Sequence, residues 1–255
     1  MLMAISIGNS HIALGTWDSG SWLKRWRIQT VHGRTADEYR IVLKELYASA
    51  ELDPRKVRSS IMASVVPPLT GTLEQTVAEL CGQKPMLLGP GMVTGLRITT
   101  ENPAEVGADL VANAVAAHER VHGGCVVVDF GTALSFTAVS SAGELRGVAI
   151  APGLSASVDA LARTTAQLPR IPLSAPPRAI GRNTVHSIQS GVVLGCVALV
   201  EGLIGRIRAE LEADARVIAT GGQSPLIAPL LTEPVIVEPW LTLEGLRIVS
   251  ERTVA

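Results

Sequence analysis

The sequence has 255 residues, a length that suits one large domain or two lobes of ordinary size. Hydrophobic residues make up 47% of it but aromatic residues only 3%, so its core must consist mainly of Ala, Val, Leu and Ile, as in buried sheets flanked by helices. The formal net charge of −1 provides no basic excess, which argues against nucleic acid or an anionic membrane as the main partner.

Strands and helices are predicted to alternate through the first part of the chain. Short apolar runs bounded by turn residues predict strands, and apolar residues at helical spacing predict helices. The predicted strands are 2–7, 11–17, 22–29, 59–66 and 85–88, and the predicted helices are 35–50 and 69–81.

The second part of the chain continues this alternation after a loop at 96–103. Strands are predicted at 126–129, 133–139, 145–150 and 217–219. Helices are predicted at 105–122, 154–166, 183 to about 211, and from 242 onward, with a proline-rich loop at 169–178. The whole pattern predicts an α/β fold.

The cysteines and the apolar runs indicate a cellular compartment. Cys81, Cys125 and Cys196 are far apart, lie in apolar contexts and lack metal-binding spacing, which is typical of reduced, buried thiols. The first 15 residues lack the basic start of a signal peptide. By inspection no apolar run approaches the ~18–20 residues of a membrane helix. We therefore expect a soluble cytoplasmic protein without a membrane partner.

A short internal repeat predicts a duplicated architecture. The segment 5–10 can be laid over 128–133, since each is a strand, a polar residue, a glycine turn and a second strand. Glycine allows backbone amides to approach a phosphate closely, so Gly8 and Gly131 are candidate phosphate-binding residues. The alternative is that both are ordinary hairpin turns. Gly221 and Gly222 follow a third strand and are a further place for a nucleotide.

Two aspartates are candidates for chemistry. Asp129 ends a buried strand, where a carboxylate is costly unless a cation or a hydrogen-bonded turn stabilises it. Asp109 lies in the first turns of a predicted helix, where it either complements the helix dipole or acts as the general base for a hydroxyl that attacks a phosphate.

Eight motifs follow one another along nearly the whole chain in the order and spacing of one enzyme family. They are GNSHIALG, ASVVPPLT, ENPAEVGAD, VVVDFGTALSF, GVAIAPGLSASVDALA, IGRNTVHSIQSG, ATGGQSPLIAPLL and LTLEGLRIV. In these motifs the chain resembles the type III pantothenate kinases of the actin–hexokinase–Hsp70 superfamily. The resemblance implies two ribonuclease-H-like lobes, residues 1–115 and 116–255, with ATP in the cleft between them. It also implies a homodimer whose interface helps to build the substrate site.

The same resemblance implies a reaction and a set of site residues. The reaction is γ-phosphoryl transfer from ATP to pantothenate, giving 4′-phosphopantothenate, with Asp109 as proton acceptor and Asp129 as ligand of a monovalent cation, K⁺ or NH₄⁺, in addition to Mg²⁺. The implied ATP contacts are Ser6, Ile7, Gly8, Asn9, Ser10, His11, Ile12, Ala13 and Thr132. The implied pantothenate contacts are Thr100, Gly107, Ala108, Asp109, Leu110 and Thr184.

Several positions depart from the family pattern. Ser6 stands where the family has an aspartate, and Leu110 where it has an arginine suited to a carboxylate. Thr100 and Glu101 replace a tyrosine and an aspartate, and Thr137 replaces another aspartate. Because charge stabilisation dominates phosphoryl transfer, these changes predict weakened or altered activity.

Three hypotheses about function stay open at this point. The first is an active pantothenate kinase with Asp109 as base and a shifted metal site. The second is a catalytically impaired or inactive paralogue with a regulatory or binding role. The third is the same phosphoryl transfer to another small hydroxylated substrate, which would also explain Leu110.

Overall fold

Eleven strands in two mixed sheets carry the fold in a computed structural model that describes residues 1–254. The strands are β1 (Leu2–Ile7), β2 (His11–Asp18), β3 (Ser21–Gln29), β4 (Ser59–Ser64), β5 (Met86–Leu87), β6 (Arg97–Ile98), β7 (Cys125–Phe130), β8 (Ala133–Val139), β9 (Glu144–Pro152), β10 (Arg216–Thr220) and β11 (Ile236–Val237). The α-helices are α1 (Ala36–Ser49), α2 (Pro67–Cys81), α3 (Ala108–Val121), α4 (Leu154–Thr164), α5 (Thr184–Gln189), α6 (Gly195–Glu210), α7 (Ser224–Ile227) and α8 (Leu241–Val254). The predicted α/β class is confirmed.

The chain forms two units that are not contiguous in sequence. Unit 1 contains residues 1–96, 102–116 and 241–255, and unit 2 contains 97–101 and 117–240. The expected division was two contiguous lobes, 1–115 and 116–255. The units differ from it chiefly because α8 packs against β1, β2 and β4 and so belongs with the first sheet.

Unit 1 is built on the sheet β3-β2-β1-β4-β5. β1 is buried on both faces and pairs antiparallel with β2 and parallel with β4. Helix α1 begins at a capping box, in which Thr35 and Glu38 each accept a backbone N–H of the other residue. Its Tyr39, Leu43 and Tyr47 follow one another at i, i+4 and i+8, so one face of the helix is buried.

Unit 2 repeats this topology. Its sheet has the order β11-β10-β7-β8-β9-β6, in which β7 pairs antiparallel with β8 and parallel with β10. Read from the other edge, the strands β9-β8-β7-β10-β11 correspond one for one to the five strands of unit 1. The duplication predicted from the short repeat is therefore confirmed at the level of strand order.

The structure differs from the predicted elements at a few places. Helix α3 begins at Ala108 rather than at residue 105, because Pro103–Glu105 form a separate 3₁₀ turn. The two-residue strand β6 lies in the segment 96–103 predicted to be a loop, and the two-residue strand β11 lies where no element was predicted. The predicted helix from 183 to about 211 contains a π-helical segment, Ser190–Leu194, between α5 and α6.

This long helix corrects one expectation. The helix runs from Thr184 to Glu210, 27 residues, and its most apolar window has a mean hydropathy of 1.8, so by length and composition alone it is long and apolar enough to cross a membrane. Inspection for uninterrupted apolar runs missed it because Ser, Gly and Gln residues interrupt the run. Core helices of soluble proteins pass the same test, so the feature is weak evidence for a membrane span.

The cysteines are free thiols. Cys125 is buried, and Cys81 and Cys196 are half-buried. Burial raises the pKa of Cys81 and Cys125 to about 12 and that of Cys196 to about 11. At neutral pH all three are protonated and therefore weak nucleophiles.

Candidate active site

The turn between β1 and β2 brings the predicted ATP contacts of unit 1 into one hairpin. Gly8 N–H donates to the carbonyl oxygen of His11 at 3.0 Å, and a Cβ on Gly8 would lie 3.1 Å from that oxygen. Asn9, Ser10 and His11 are exposed, whereas Ile7 and Ile12 are buried. The side chains of the turn are therefore open to a ligand, whereas those of the two isoleucines are buried.

Thr30, which sequence reasoning missed, holds this turn from behind. Its hydroxyl donates to the carbonyl oxygen of Gly8 at 2.6 Å, and its N–H donates to that of Ser10 at 3.0 Å. Thr30 itself is buried, and its hydroxyl bond to Gly8 is part-buried. No local pattern could have identified it, because its role depends on the pairing of β2 with β3.

Ser6 and Ala13, the outer members of the predicted ATP set, face each other across the hairpin. Ser6 pairs with Ala13 of β2 on one side and with Ala63 of β4 on the other. Ser6 is half-buried and Ala63 is buried. Alanine neighbours on both sides leave the site small and uncharged at this point of the sheet.

The glycine turns of unit 2 meet around Asp129. β7 and β10 are parallel neighbours, with Asp129 in register with Thr220, so their glycine turns leave the same edge of the sheet. Gly221 has φ of +87°, and a Cβ there would lie 2.4 Å from Asp129 Oδ1. A Cβ on Gly131 would lie 3.4 Å from the same oxygen. The predicted residues Gly131, Thr132, Gly221 and Gly222 thus share one edge with the Asp129 carboxylate.

A third segment, also missed from the sequence, reaches this edge. Gly153, at the start of α4, packs so closely that a Cβ would lie 2.5 Å from the carbonyl oxygens of Gly131 and Thr132. Gln223, after the second glycine turn, donates from Nε2 to Ser155 Oγ at 2.7 Å. Its backbone N–H also donates to the carbonyl oxygen of Phe130. Gln223 therefore connects the three loops at the edge.

Thr137, one of the departures from the family pattern, lies inside β8. It is 1% exposed and pairs with Val127, while Ser135 pairs with Asp129. A carboxylate at position 137 would be buried and would need a partner, whereas a hydroxyl at this position costs less. Threonine therefore fits this buried position better than the aspartate of the family pattern would.

Asp109 is placed by the first turn of α3. Its Oδ1 accepts the N–H of Leu110 at 2.8 Å and lies where a Cβ on Gly107 would be only 2.7 Å away. Burial raises the pKa of Asp109, and the backbone hydrogen bonds of Leu110 and Asp109 oppose this shift. A carboxyl group with a raised pKa suits a general base.

The other predicted substrate residues divide between the units. Gly107, Ala108 and Leu110 surround Asp109 in unit 1, whereas Thr100 and Thr184 belong to unit 2. The Thr100 hydroxyl is buried and finds no hydrogen-bond partner within residues 1–254. Thr184 begins α5 and lines a cavity of about 910 Å³.

Comparison with solved structures shows the fold. An activator of 2-hydroxyisocaproyl-CoA dehydratase from Clostridium difficile, with bound ADPNP, is 12% identical at a TM-score of 0.58 and covers 98% of this chain and 94% of its own. MreB 5 of Spiroplasma citri, bound to AMPPNP, is 10% identical at a TM-score of 0.58 and covers 98% and 96%. The chain has the actin-like ATPase fold, as predicted.

Comparison at the level of sequence shows the family. The model of the type III pantothenate kinase family matches residues 2–206. A type III pantothenate kinase of Anaeromyxobacter sp. (strain K) is 51% identical over 252 residues, 99% of both chains. That of Myxococcus xanthus (strain DK1622) is 46% identical over 252 residues, 99% of this chain and 98% of its own. The chain therefore belongs to the type III pantothenate kinase family.

Proposed function

We propose that the protein transfers the γ-phosphoryl group of ATP to the hydroxyl group of pantothenate, forming 4′-phosphopantothenate for coenzyme A biosynthesis. The observation that carries this function is the identity of about half of the residues to pantothenate kinases over 252 positions. The duplicated glycine hairpins and the half-buried Asp109, whose pKa is raised, agree with it.

The phosphates of ATP are proposed to lie against backbone amides at the two hairpin turns. Residues 6–13 serve in unit 1, and Gly131 with Thr132 serves in unit 2. Gly221 and Gly222 are proposed to contact the nucleoside part of ATP. The glycines of these turns support this role, because glycine has no side chain to keep a phosphate from the backbone amides.

Asp109 is proposed as the general base. The pantothenate oxygen forms a bond to the γ-phosphorus as the bond from that phosphorus to the β,γ-bridging oxygen breaks, so ADP leaves with the bond's electron pair. The hydroxyl proton passes to the Asp109 carboxylate. The raised pKa of Asp109 supports this step, because a more basic carboxylate accepts the proton more readily.

Asp129 is proposed to bind a cation beside the phosphates. Its carboxylate lies next to both glycine turns of unit 2. No group of three His, Cys, Asp or Glu side chains that could hold a metal occurs within residues 1–254. The residues fit Mg²⁺ held by one carboxylate and by ATP, or K⁺ or NH₄⁺ beside them, and the bound cation would neutralise phosphate charge.

The remaining proposed substrate contacts are Thr100, Gly107, Ala108, Leu110 and Thr184. The buried hydroxyl of Thr100 supports a polar contact to substrate, because an unpaired buried hydroxyl is unfavourable without one. We propose that the substrate is a small molecule. We also propose that the protein acts in the cytoplasm, with neither nucleic acid nor a membrane as a partner.

The protein is also proposed to form a homodimer through the helix Thr184–Glu210. Only 28% of its most apolar window is buried within the chain. A Cβ on Gly191, Gly195, Gly202 or Gly205 would meet no neighbouring atom within 4 Å, and Leu199 is 38% exposed. An exposed apolar face with small residues supports close packing against the same helix of a second copy.

The test of the proposed activity is ADP formation with and without pantothenate, in Mg²⁺ with K⁺ or NH₄⁺. Pantothenate-dependent ADP formation together with 4′-phosphopantothenate in the products is the expected result. An absence of turnover, in the presence of normal ATP binding, would instead indicate the impaired paralogue.

A further inference from the structure

The strand register of unit 1 places an arginine in the same cross-strand row as the end of β1. Ser6 of β1 pairs with Ala13 of β2, and Ala13 pairs with Arg27 of β3. On its other side Ser6 pairs with Ala63 of β4. Residues that pair across strands point to the same face of a sheet, so these four form one row on one face. All four belong to unit 1.

This row lies on the face of the sheet opposite the apolar core that α1 and α2 cover. Side chains alternate between the two faces along a strand, so the two neighbouring rows point the other way. Every member of those rows lies in that core or against it: Ile5, Leu14 and Trp26 in one row, and Ile7, Ile12 and Ile28 in the other. Arg27 therefore shares its face with Ser6 and Ala13, two of the predicted ATP contacts.

The next row on the same face is covered by other side chains. It contains Ala4, Gly15 and Arg25. A Cβ on Gly15 would collide with the ring of Trp22 and would lie 3.1 Å from Leu243, so the space above this row is filled. In the row nearer the turn, by contrast, Ser6 and Ala13 are only half-buried. That row is therefore the one open to a ligand.

The row of Ser6 also carries a net positive charge. Arg27 is charged, whereas Ser6, Ala13 and Ala63 are neutral. The aspartate of the family pattern at position 6 would make the row neutral, so serine makes it more attractive to an anion. Arg27 is exposed and stands two strand spacings from β1, about 10 Å, with only a small alanine between them.

We propose that Arg27 binds a phosphate group of ATP at the β1–β2 hairpin and supplies positive charge there in the presence of Ser6. This assignment rests on the proposed function, because it takes the ATP phosphates to lie at that hairpin. The planar guanidinium matches two phosphate oxygens with parallel hydrogen bonds. Positive charge beside the phosphates also favours phosphoryl transfer, which depends mainly on electrostatic stabilisation.

The test is the affinity of the full-length protein for the non-hydrolysable ATP analogue AMPPNP, measured by calorimetry. In Arg27→Gln we expect Kd to rise about 10- to 100-fold, as for loss of a charged hydrogen-bonded pair. Arg27→Lys should raise it less, because lysine keeps the charge but not the planar fork.

Arg25→Gln is the matched control, because Arg25 is also exposed and lies on the same face of the same strand, in the covered row. We expect its Kd to change less than twofold. Basic residues on an edge strand such as β3 also prevent edge-to-edge association. Equal effects of Arg27→Gln and Arg25→Gln, or no effect of either, would leave only that role and would overturn the assignment.

Salt dependence separates a phosphate contact from a loss of structure. The ratio of Kd in Arg27→Gln to Kd in the wild type should shrink between about 0.05 and 0.5 M NaCl, since salt screens a partly exposed charge pair. A ratio that stays constant with salt would overturn the assignment.

Turnover of pantothenate is measured separately, so a failure of this assignment can be distinguished from a failure of the proposed activity. Weaker analogue binding in Arg27→Gln alone supports the phosphate contact even if no 4′-phosphopantothenate forms. Normal turnover together with equal binding in the two arginine variants overturns the contact and leaves the proposed activity standing. Absence of analogue binding to the wild-type protein would overturn the contact as well.

Discussion

At the residue scale, the environment of Asp109 links activity to stability. Burial raises its pKa, so between the ordinary value of 3.8 and the raised value the folded protein holds a proton that the unfolded chain has released. The free energy of unfolding therefore decreases as pH rises through that interval. At neutral pH the ionised carboxylate is destabilising, which agrees with the catalytic role proposed for it.

The change Asp109→Asn should separate the two effects. We expect kcat to fall about 10²- to 10⁴-fold, because the proton acceptor is lost, while the free energy of unfolding at pH 7 increases. The amide can still accept the N–H of Leu110, so the turn is kept. Steady-state kinetics and urea unfolding measure the two quantities. Full activity in the variant would contradict the role of general base.

The acid limb of the wild-type pH–rate profile provides a second check of Asp109. A base with a raised pKa loses activity at a higher pH than an exposed aspartate would, so the apparent pKa of kcat/KM should lie above 3.8. Kinetics with pantothenate well below its KM measures this value. An activity that stays constant down to pH 4 would argue against the assignment.

We expect Gln223 to position the second glycine turn rather than to take part in the reaction. Its Nε2 bond to Ser155 connects the second glycine turn to α4, and its buried Oε1 has no partner within residues 1–254. In Gln223→Leu we expect KM for ATP to rise about 2- to 12-fold while kcat changes little, as for the loss of one hydrogen bond. A double-mutant cycle with Ser155→Ala isolates the contact, because the two losses should not add. Fully additive losses would show that the residues act independently.

At the scale of elements, the glycine turns limit which amino-acid substitutions the site tolerates more than the strands do. Gly221 and Gly20 both have φ of +87°, but only Gly221 has atoms where a Cβ would stand. Gly20→Ala should cost about 1–2 kcal/mol of unfolding free energy, from backbone strain alone. Gly221→Ala should cost more and also weaken binding of a non-hydrolysable ATP analogue, since it displaces Asp129. Equal effects of the two changes in both measurements would contradict the close approach at Gly221.

Much of the element order could be predicted because the pattern that identifies an element is local. The apolar run at Leu2–Ile7 and the i, i+4 spacing of Tyr39 and Leu43 are sufficient to predict β1 and α1. The π-helical segment Ser190–Leu194 could not be predicted, since its residues fit the period of an α-helix equally well.

The parts of the site that sequence did not reveal depend on contacts between distant positions. Gln223 and Ser155 are 68 residues apart, and Thr30 reaches Gly8 only through the pairing of β2 with β3. Asp129 could be identified because a carboxylate at the end of a buried strand is unusual by itself, and Asp109 because it lies in a motif of the family. Supporting residues carry no such local signal.

At the scale of the whole molecule, the exposed apolar helix predicts self-association. The wild-type protein should sediment at about twice the 26.8 kDa of one chain. Leu199→Glu should shift it toward the monomer, because a carboxylate would be buried in the apolar interface. Leu23→Glu is the control, since Leu23 is 43% exposed on β3 of unit 1 and outside the helix. A dimer unaffected by Leu199→Glu would exclude this face of the helix.

Because α8 packs against the first sheet, unit 1 can complete its folding only after α8 has been synthesised. Leu243 of α8 lies next to Gly15 of β2. A Cβ on Gly245 of α8 would clash with the carbonyl group of Ala112 in α3. Helix α8 therefore completes the packing around both β2 and α3. Translation delivers all of residues 97–240 before this helix emerges. Unit 1, whose strands are synthesised first, therefore stays incompletely folded, with part of its apolar surface exposed, until α8 leaves the exit tunnel.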